Sequence, residues 1–207
     1  AGITAAQGIN RAEPLTVNFA FTGDSTFFHT GIPGLVNAVY NRANIIAVIL
    51  DNGTTAMTGS QPHPGTGASI TGSPAEKIDI YTMVKAMGIK NIERANPFDM
   101  TAAKEAVRRS LDKTGVRVVL FEAPCIMVER GRGLCRISGA CTGCRACVLR
   151  LGCPAISLAG PAEPASARAG GKQAARAVID PALCTGCGIC AELCASGAIE
   201  AVLPEGA

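Results

Sequence analysis

The chain has 207 residues, 48% of them hydrophobic and 17% charged, enough for one or two domains with a buried core. Its 19 Lys and Arg against 16 Asp and Glu leave a charge of +3, and with no Trp and two Tyr there is no basic, aromatic-rich surface for nucleic acid. The longest apolar run, Ile45 to Leu50, is far below the roughly 18 residues of a membrane span. No nucleic acid and no membrane are expected as partners. The first ten residues lack an initiator Met, a cationic start and a continuous apolar core, so they do not read as a signal peptide and are expected to be part of a longer protein.

From residue 15 to 122, short apolar runs alternate with segments of helical period, which predicts an α/β domain with a mainly parallel sheet. Leu15 to Phe21 reads as a buried strand ending at Gly23-Asp24. Gly31 to Arg42 follows as a helix with Leu35, Val36, Val39 and Tyr40 on one face. Ile45 to Leu50 is a second buried strand. The Gly- and Pro-rich stretch from Gly53 to Pro74 is too long for an ordinary connection, and loops of that length are often functional. A helix through Ile80, Met83, Val84 and Met87 stops at Gly88. A strand over Ile89 to Ala95, a helix over Asp99 to Lys113 with Met100, Ala103, Val107 and Leu111 inward, and a strand over Val116 to Phe121 complete the domain.

The ten cysteines divide the chain where the sign of charge does not. Residues 1–128 hold only Cys125, and the other nine lie between Cys135 and Cys194. Two similar blocks stand out, Cys141-Thr-Gly-Cys144-Arg-Ala-Cys147 and Cys184-Thr-Gly-Cys187-Gly-Ile-Cys190. A flexible connection is expected over Ala159 to Ala177. The second block continues to Cys194 with the Cys-x2-Cys-x2-Cys-x3-Cys spacing of iron-sulfur cubanes, in which three thiolates converge on the corners of one cube. The first block departs from it, with five residues between Cys147 and Cys153. Zinc takes separated Cys-x-x-Cys pairs, and disulfides need an oxidising compartment that nothing here marks. Cys125 and Cys135 have no motif partners and receive no role.

Over residues 134–203 this pattern resembles the two-cluster bacterial ferredoxin domain, a small α+β fold. The resemblance implies one [4Fe-4S] cluster on Cys141, Cys144, Cys147 and Cys194, and another on Cys184, Cys187, Cys190 and Cys153.

Two loops in the first part follow strand carboxyl ends, where open α/β sheets bind ligands. They are Gly23-Asp24-Ser25 and Asp51-Asn52-Gly53-Thr54, with Asp24 and Asn52 separated by 28 positions. Each alone is as often a turn; together, a carboxylate and an amide oxygen suit magnesium bound to a diphosphate. Here the chain resembles the thiamine diphosphate-binding domain, with Ser25 and Asp51 departing from the usual Gly and Asn. The resemblance implies that Asp24, Asn52 and the Thr54 carbonyl hold Mg2+, with Gly23 and Ser25 beside the diphosphate.

The longer wording, Gly23 to Leu35 and Ile49 to Gly65 with Thr-Gly-Ser-Gln-Pro-His-Pro-Gly, is similar to the 2-oxoacid:ferredoxin oxidoreductases, most of all their indolepyruvate-type large subunits. Domains are expected over 1–128 and 129–207. The resemblance implies oxidative decarboxylation of an arylpyruvate such as indolepyruvate to acyl-CoA and CO2. Thiamine diphosphate then serves as electron sink, and two clusters pass single electrons to ferredoxin. Further implied partners are coenzyme A, a smaller beta subunit and an upstream pyrimidine-binding domain whose glutamate activates the cofactor. The setting is cytoplasmic and anaerobic, and these residues alone are expected not to turn over. The alternative is a ferredoxin-type electron carrier with a non-catalytic α/β docking domain.

His29 and His63, the two histidines, both fall in the suspected cofactor loops, and His29 is the candidate for catalysis because imidazole transfers protons near neutral pH. Glu13, Glu76 and Glu122 read as surface or strand-end charges. Arg108 and Arg109 read as solvated, as do Arg130 and Arg132 unless the latter two meet an acidic ferredoxin.

Overall fold

Ile45–Asp51 (β2) is apolar through Leu50 because it lies inside the sheet, buried on both faces until its last two residues. The computed structural model describes residues 1–128, 133–159 and 175–202. Arg130, Arg132 and residues 160–174 of the expected connection lie outside the described residues. The chain divides into two units, Ala1–Val128 and Glu129–Ala207.

In the first unit, helix α1 (Gly2–Ala12) precedes β1 (Asn18–Gly23). After β1 come a single α-turn, α2 (Asp24–Thr26), a π-turn over Phe27–Gly31, and α3 (Ile32–Tyr40) with Pro33 in its first turn, where a missing N–H costs nothing. Beyond β2 follow α4 (Ile80–Ala86), β3 (Asn91–Ala95), α5 (Met100–Leu111) and β4 (Val116–Glu122). The sheet order is β1-β2-β4-β3 and every pair is parallel, so all four carboxyl ends share one edge. Asp79 and Asp99 cap α4 and α5 by accepting the N–H of Thr82 at 2.7 Å and of Ala102 at 2.8 Å.

Two helix faces differ from the expected ones. On α3, Leu35 and Ala38 face the core, while Val36 and Tyr40 are exposed. On α5, Ala106 and Ser110 are buried and Leu111 is exposed. On α5 the side turned to the sheet carries the small Ala106 and Ser110, while on α3 it pairs the bulky Leu35 with the small Ala38. Arg117 on β4 is 2% exposed. Its guanidinium donates to the carbonyls of Lys113 (2.6 Å), Gly115 (3.1 Å) and Ser110 (3.3 Å) and to Asn44 Oδ1 (2.7 Å). It pins the end of α5 to the start of β2, at the edge of the sheet opposite the carboxyl ends.

In the second unit, β5 (Leu134–Ile137) is followed by α6 (Ala146–Leu151) and β6 (Ile156–Leu158). The repeat runs through β7 (Ala177–Ile179), α7 (Ile189–Leu193) and β8 (Ile199–Val202). The strands pair antiparallel, first with last and the middle two together. The two blocks thus form a pair of similar halves around Cys135, Cys147, Ile156, Ala177, Cys190 and Ile199. Among the described residues no helix is long and apolar enough to cross a membrane.

Candidate functional site

The loops after β1 and β2 meet at Asp24, which is 3% exposed. Its Oδ1 accepts the N–H of Ser25 at 2.7 Å, and its Oδ2 accepts those of Gly53 at 2.8 Å and Asn52 at 3.2 Å. The Gly53 N–H is shared with Asp51 Oδ1 at 3.1 Å, and Asn52 Oδ1 accepts the Thr54 N–H at 3.1 Å. Gly53 has φ +71°, a left-handed backbone that glycine adopts without penalty. Burial pushes the Asp51 carboxyl up, and its hydrogen bond to Asp24 adds to the shift.

The far part of the 53–74 loop returns to the same point. His63, 8% exposed, packs its ring 5.6 Å from that of Phe28, and its Nδ1 accepts the Gly65 N–H at 3.1 Å. That bond assigns the ring proton to Nε2. Nε2 lies 3.1 Å from Asp24 Oδ2 but off a hydrogen-bonding direction, so it is buried without a well-directed partner. Gly65 has to lack a side chain, since a Cβ there would stand 2.8 Å from Phe28 Cε2 and 3.1 Å from His63 Cε1. His29, on the π-turn, is exposed, and the structure brings His63, not His29, to Asp24.

A cavity of about 210 Å³ opens at the carboxyl ends of β2 and β4, walled by Leu50, Asp51, Asn52, Phe98, Phe121 and Cys125. The Ala123 and Cys125 N–H groups donate to the Asp51 and Asn52 carbonyls at 3.1 and 3.0 Å. Cys125 thus stands beside the Asp51-Asn52 turn, a placement with no motif in the sequence. Glu122, at the end of β4, pairs through both oxygens with Arg94 at 2.6 and 2.8 Å, and Arg109 pairs with Glu93 at 2.8 Å.

Two cysteine cavities occupy the second unit, and all ten cysteines are free thiols. The larger, about 160 Å³, is lined by Cys153, Cys184, Cys187 and Cys190, with Cys135 as a fifth. The smaller, about 20 Å³, is lined by Cys141, Cys144, Cys147 and Cys194. Each therefore takes three cysteines of one block and the last of the other. Among the described residues no three of these side chains converge on one point as a single ion would require. A four-iron cube takes one thiolate per corner and needs them spread around a cavity instead. Burial pushes the Cys190 thiol up to about 12, the hydrogen bond with Cys135 adding to it, and burial also raises Cys147. The hydrogen bond with Ser196 lowers Cys194. Backbone geometry repeats between blocks: Gly143 and Gly186 have φ of 70° and 68°, and Arg145 and Gly188 have φ of 61° and 79°.

The chain is similar to the indolepyruvate oxidoreductase subunit IorA of Methanothermobacter marburgensis, 42% identical over 190 residues, and to that of Pyrococcus horikoshii, 40% identical over 194. The matches cover 90% and 88% of this chain, which spans about 28% of the length of either relative. A solved 2-oxoglutarate:ferredoxin oxidoreductase from Magnetococcus marinus shares the fold, with a TM-score of 0.51 at 18% identity over 59% of this chain and 44% of that one. A family model for a 4Fe-4S binding domain matches residues 176–199. The model for the C-terminal TPP-binding domain of thiamine pyrophosphate enzymes matches residues 1–121, and the chain belongs to that family.

Proposed function

We propose that the chain is the cofactor-holding and electron-delivering part of a 2-oxoacid:ferredoxin oxidoreductase. The whole protein oxidatively decarboxylates arylpyruvates, indolepyruvate first, to acyl-CoA and CO2. A thiamine diphosphate domain over 1–128 holds the reacting cofactor, and a ferredoxin-like domain over 129–207 carries electrons away. The observation that carries this reading is the crossed sorting of thiols, with Cys153 among Cys184, Cys187 and Cys190, and Cys194 among Cys141, Cys144 and Cys147. That sorting is what two [4Fe-4S] clusters require of this spacing.

The donor set at Asp24 fits Mg2+. Two adjacent carboxylates, Asp24 and Asp51, face each other and share the Gly53 N–H, alongside the amide oxygen of Asn52. Asp24, Asn52 and the Thr54 carbonyl hold the ion, and Gly23 and Ser25 border the diphosphate. The bound cofactor supplies the electron sink for decarboxylation. Gly53, through its positive φ, turns one N–H onto both carboxylates and so fixes their separation. Leu50, Phe98 and Phe121 give that end of the site an apolar wall. His29, exposed on the π-turn that follows Asp24, is the proposed catalytic side chain.

The reading places an upstream pyrimidine-binding domain, a smaller beta subunit, ferredoxin and coenzyme A as partners, in the cytoplasm, where thiols stay reduced. Residues 1–207 alone lack the activating glutamate and do not turn over; arylpyruvate oxidation by them refutes this. The deciding experiment is anaerobic analysis of the full-length subunit with its partner subunit. About eight irons and eight sulfides per chain are expected from two cubanes, with Mg2+-dependent thiamine diphosphate binding that is lost in Asp24→Ala. Eight irons without thiamine diphosphate binding would leave only an electron carrier.

A further inference from the structure

Cys135 belongs to neither block, yet it stands in the larger cysteine cavity, 4% exposed and held on β5 opposite Ala201. Its main-chain N–H donates to Cys184 Sγ at 3.4 Å, and it lines the same cavity wall as Cys184, Cys187 and Cys190. The corresponding strand of the other half, β7, shows what is unusual here. Ile137 and Ala177 line the smaller cavity as Ile179 and Cys135 line the larger, so the two halves exchange Ile137 for Ile179 and Cys135 for Ala177. One cavity receives a thiol where its counterpart receives a methyl group.

We propose that Cys135 is a positioning residue that makes the cluster on Cys153, Cys184, Cys187 and Cys190 the more easily reduced of the two, by presenting its S–H to the ligand sulfurs of that cavity. The inference rests on the cluster reading above. A ligating thiol is deprotonated by its iron. Once Cys153, Cys184, Cys187 and Cys190 are ligands, Cys135 is the one thiol left in the cavity. Reduction adds negative charge to the cluster and its sulfurs, and a donor aimed at a ligand sulfur stabilises that charge. Cys135 and Cys190 are 4% and 7% exposed, so the donor acts away from bulk water. Ala177 offers nothing of the kind to the cluster on Cys141, Cys144, Cys147 and Cys194.

The test is an EPR-monitored redox titration of the full-length subunit with its partner subunit, purified anaerobically. In Cys135→Ala one midpoint moves down and the other stays, the reduced-to-oxidised ratio of that cluster falling about tenfold at fixed poise, or about 59 mV for a one-electron couple. Cys135→Ser, which keeps a donor, holds that midpoint at or above the wild-type value. Ala177→Cys raises the other midpoint, and answers the same question should Cys135→Ala fail to assemble. Iron content stays at the wild-type level in all three. Unmoved midpoints, or both moving together, overturn the inference, as does loss of one cluster in both Cys135→Ala and Cys135→Ser, which would make the thiol a ligand. A wild-type protein without cubane signals fails the cluster assignment itself and this inference with it; unmoved midpoints beside intact clusters fail this inference alone.

Discussion

His63 Nε2 lies 3.1 Å from Asp24 Oδ2 with both side chains 4% exposed, which closes the far part of the 53–74 loop onto the start of α2. The contact gives the long loop a reason to exist. Its outer residues return a buried imidazole to the one carboxylate that already gathers three backbone N–H groups.

Removing that imidazole should loosen the ion before it loosens the fold. In the full-length subunit, His63→Ala is expected to weaken Mg2+ affinity by about tenfold or more, as the loss of groups behind metal ligands usually does. His63→Gln, which can place an N–H near Asp24, should fall between. Calorimetric Mg2+ titration in the presence of thiamine diphosphate measures this, and an unchanged affinity in His63→Ala shows the ring to be mere packing.

Gly65 is where this arrangement tolerates least. Adding a methyl group forces Phe28 or His63 aside, and overpacking of this kind costs about 1 to 3 kcal/mol. Urea unfolding of Gly65→Ala should show a lower midpoint with an unchanged slope. A midpoint equal to wild type means that the Phe28 ring yields freely.

The two cysteine blocks differ at the residue after their second cysteine. Arg145 and Gly188 both adopt left-handed backbone, and Arg145 is exposed. A non-glycine residue there carries a penalty of roughly 1 to 2 kcal/mol, part of which glycine returns through greater freedom when unfolded. Arg145→Gly is therefore expected to raise stability by up to about 1 kcal/mol, and Gly188→Ala to lower it by about 1 to 2 kcal/mol. Thermal melts of the two variants should move in opposite directions, and movement in the same direction contradicts the strain argument.

Asp79 links α4 to pH. Its hydrogen bonds with Thr82, from the side chain first and then the N–H, hold its carboxyl below the usual carboxylate range. A folded-state pKa below the unfolded value contributes stability that is present above the unfolded value, near 4, and is lost as pH falls through the lowered folded value. Asp79→Ala should cost about 1 kcal/mol at neutral pH, and the gap to wild type should close in acid. Asp79→Ser, a cap without a titrating group, should show no such closing. Denaturant curves at neutral pH and in acid decide it.

What could be read from the residues, and what could not, divides along physical lines. β2 was plain because a strand buried on both faces leaves a continuous apolar run. The Asp24 and Asn52 turns and the two cysteine blocks were plain because short-range spacing fixes them. The inner face of α3 is half legible, since Leu35 and Val39 turn inward as their apolar stripe implies while Val36 and Tyr40 do not, and on both helices small residues such as Ala38 and Ala106 take inner places that side-chain bulk does not mark. Arg117, a cation inside a strand, gives no sign in the sequence that five oxygen acceptors, the Ile45 carbonyl among them, surround it. His63 and Cys135 reach their partners across 39 and 49 positions of chain, distances at which no local motif carries a signal. For His63, its position in a loop too long for a simple connection was the available hint.

The exchange of final cysteines between blocks makes the second unit indivisible. Trimming the tail back past Cys194 opens the pocket belonging to the earlier block, although every residue of that block survives. Damage at Cys153 is felt in the later one in the same way. The two similar halves make one braided object, and its smallest working version is the pair.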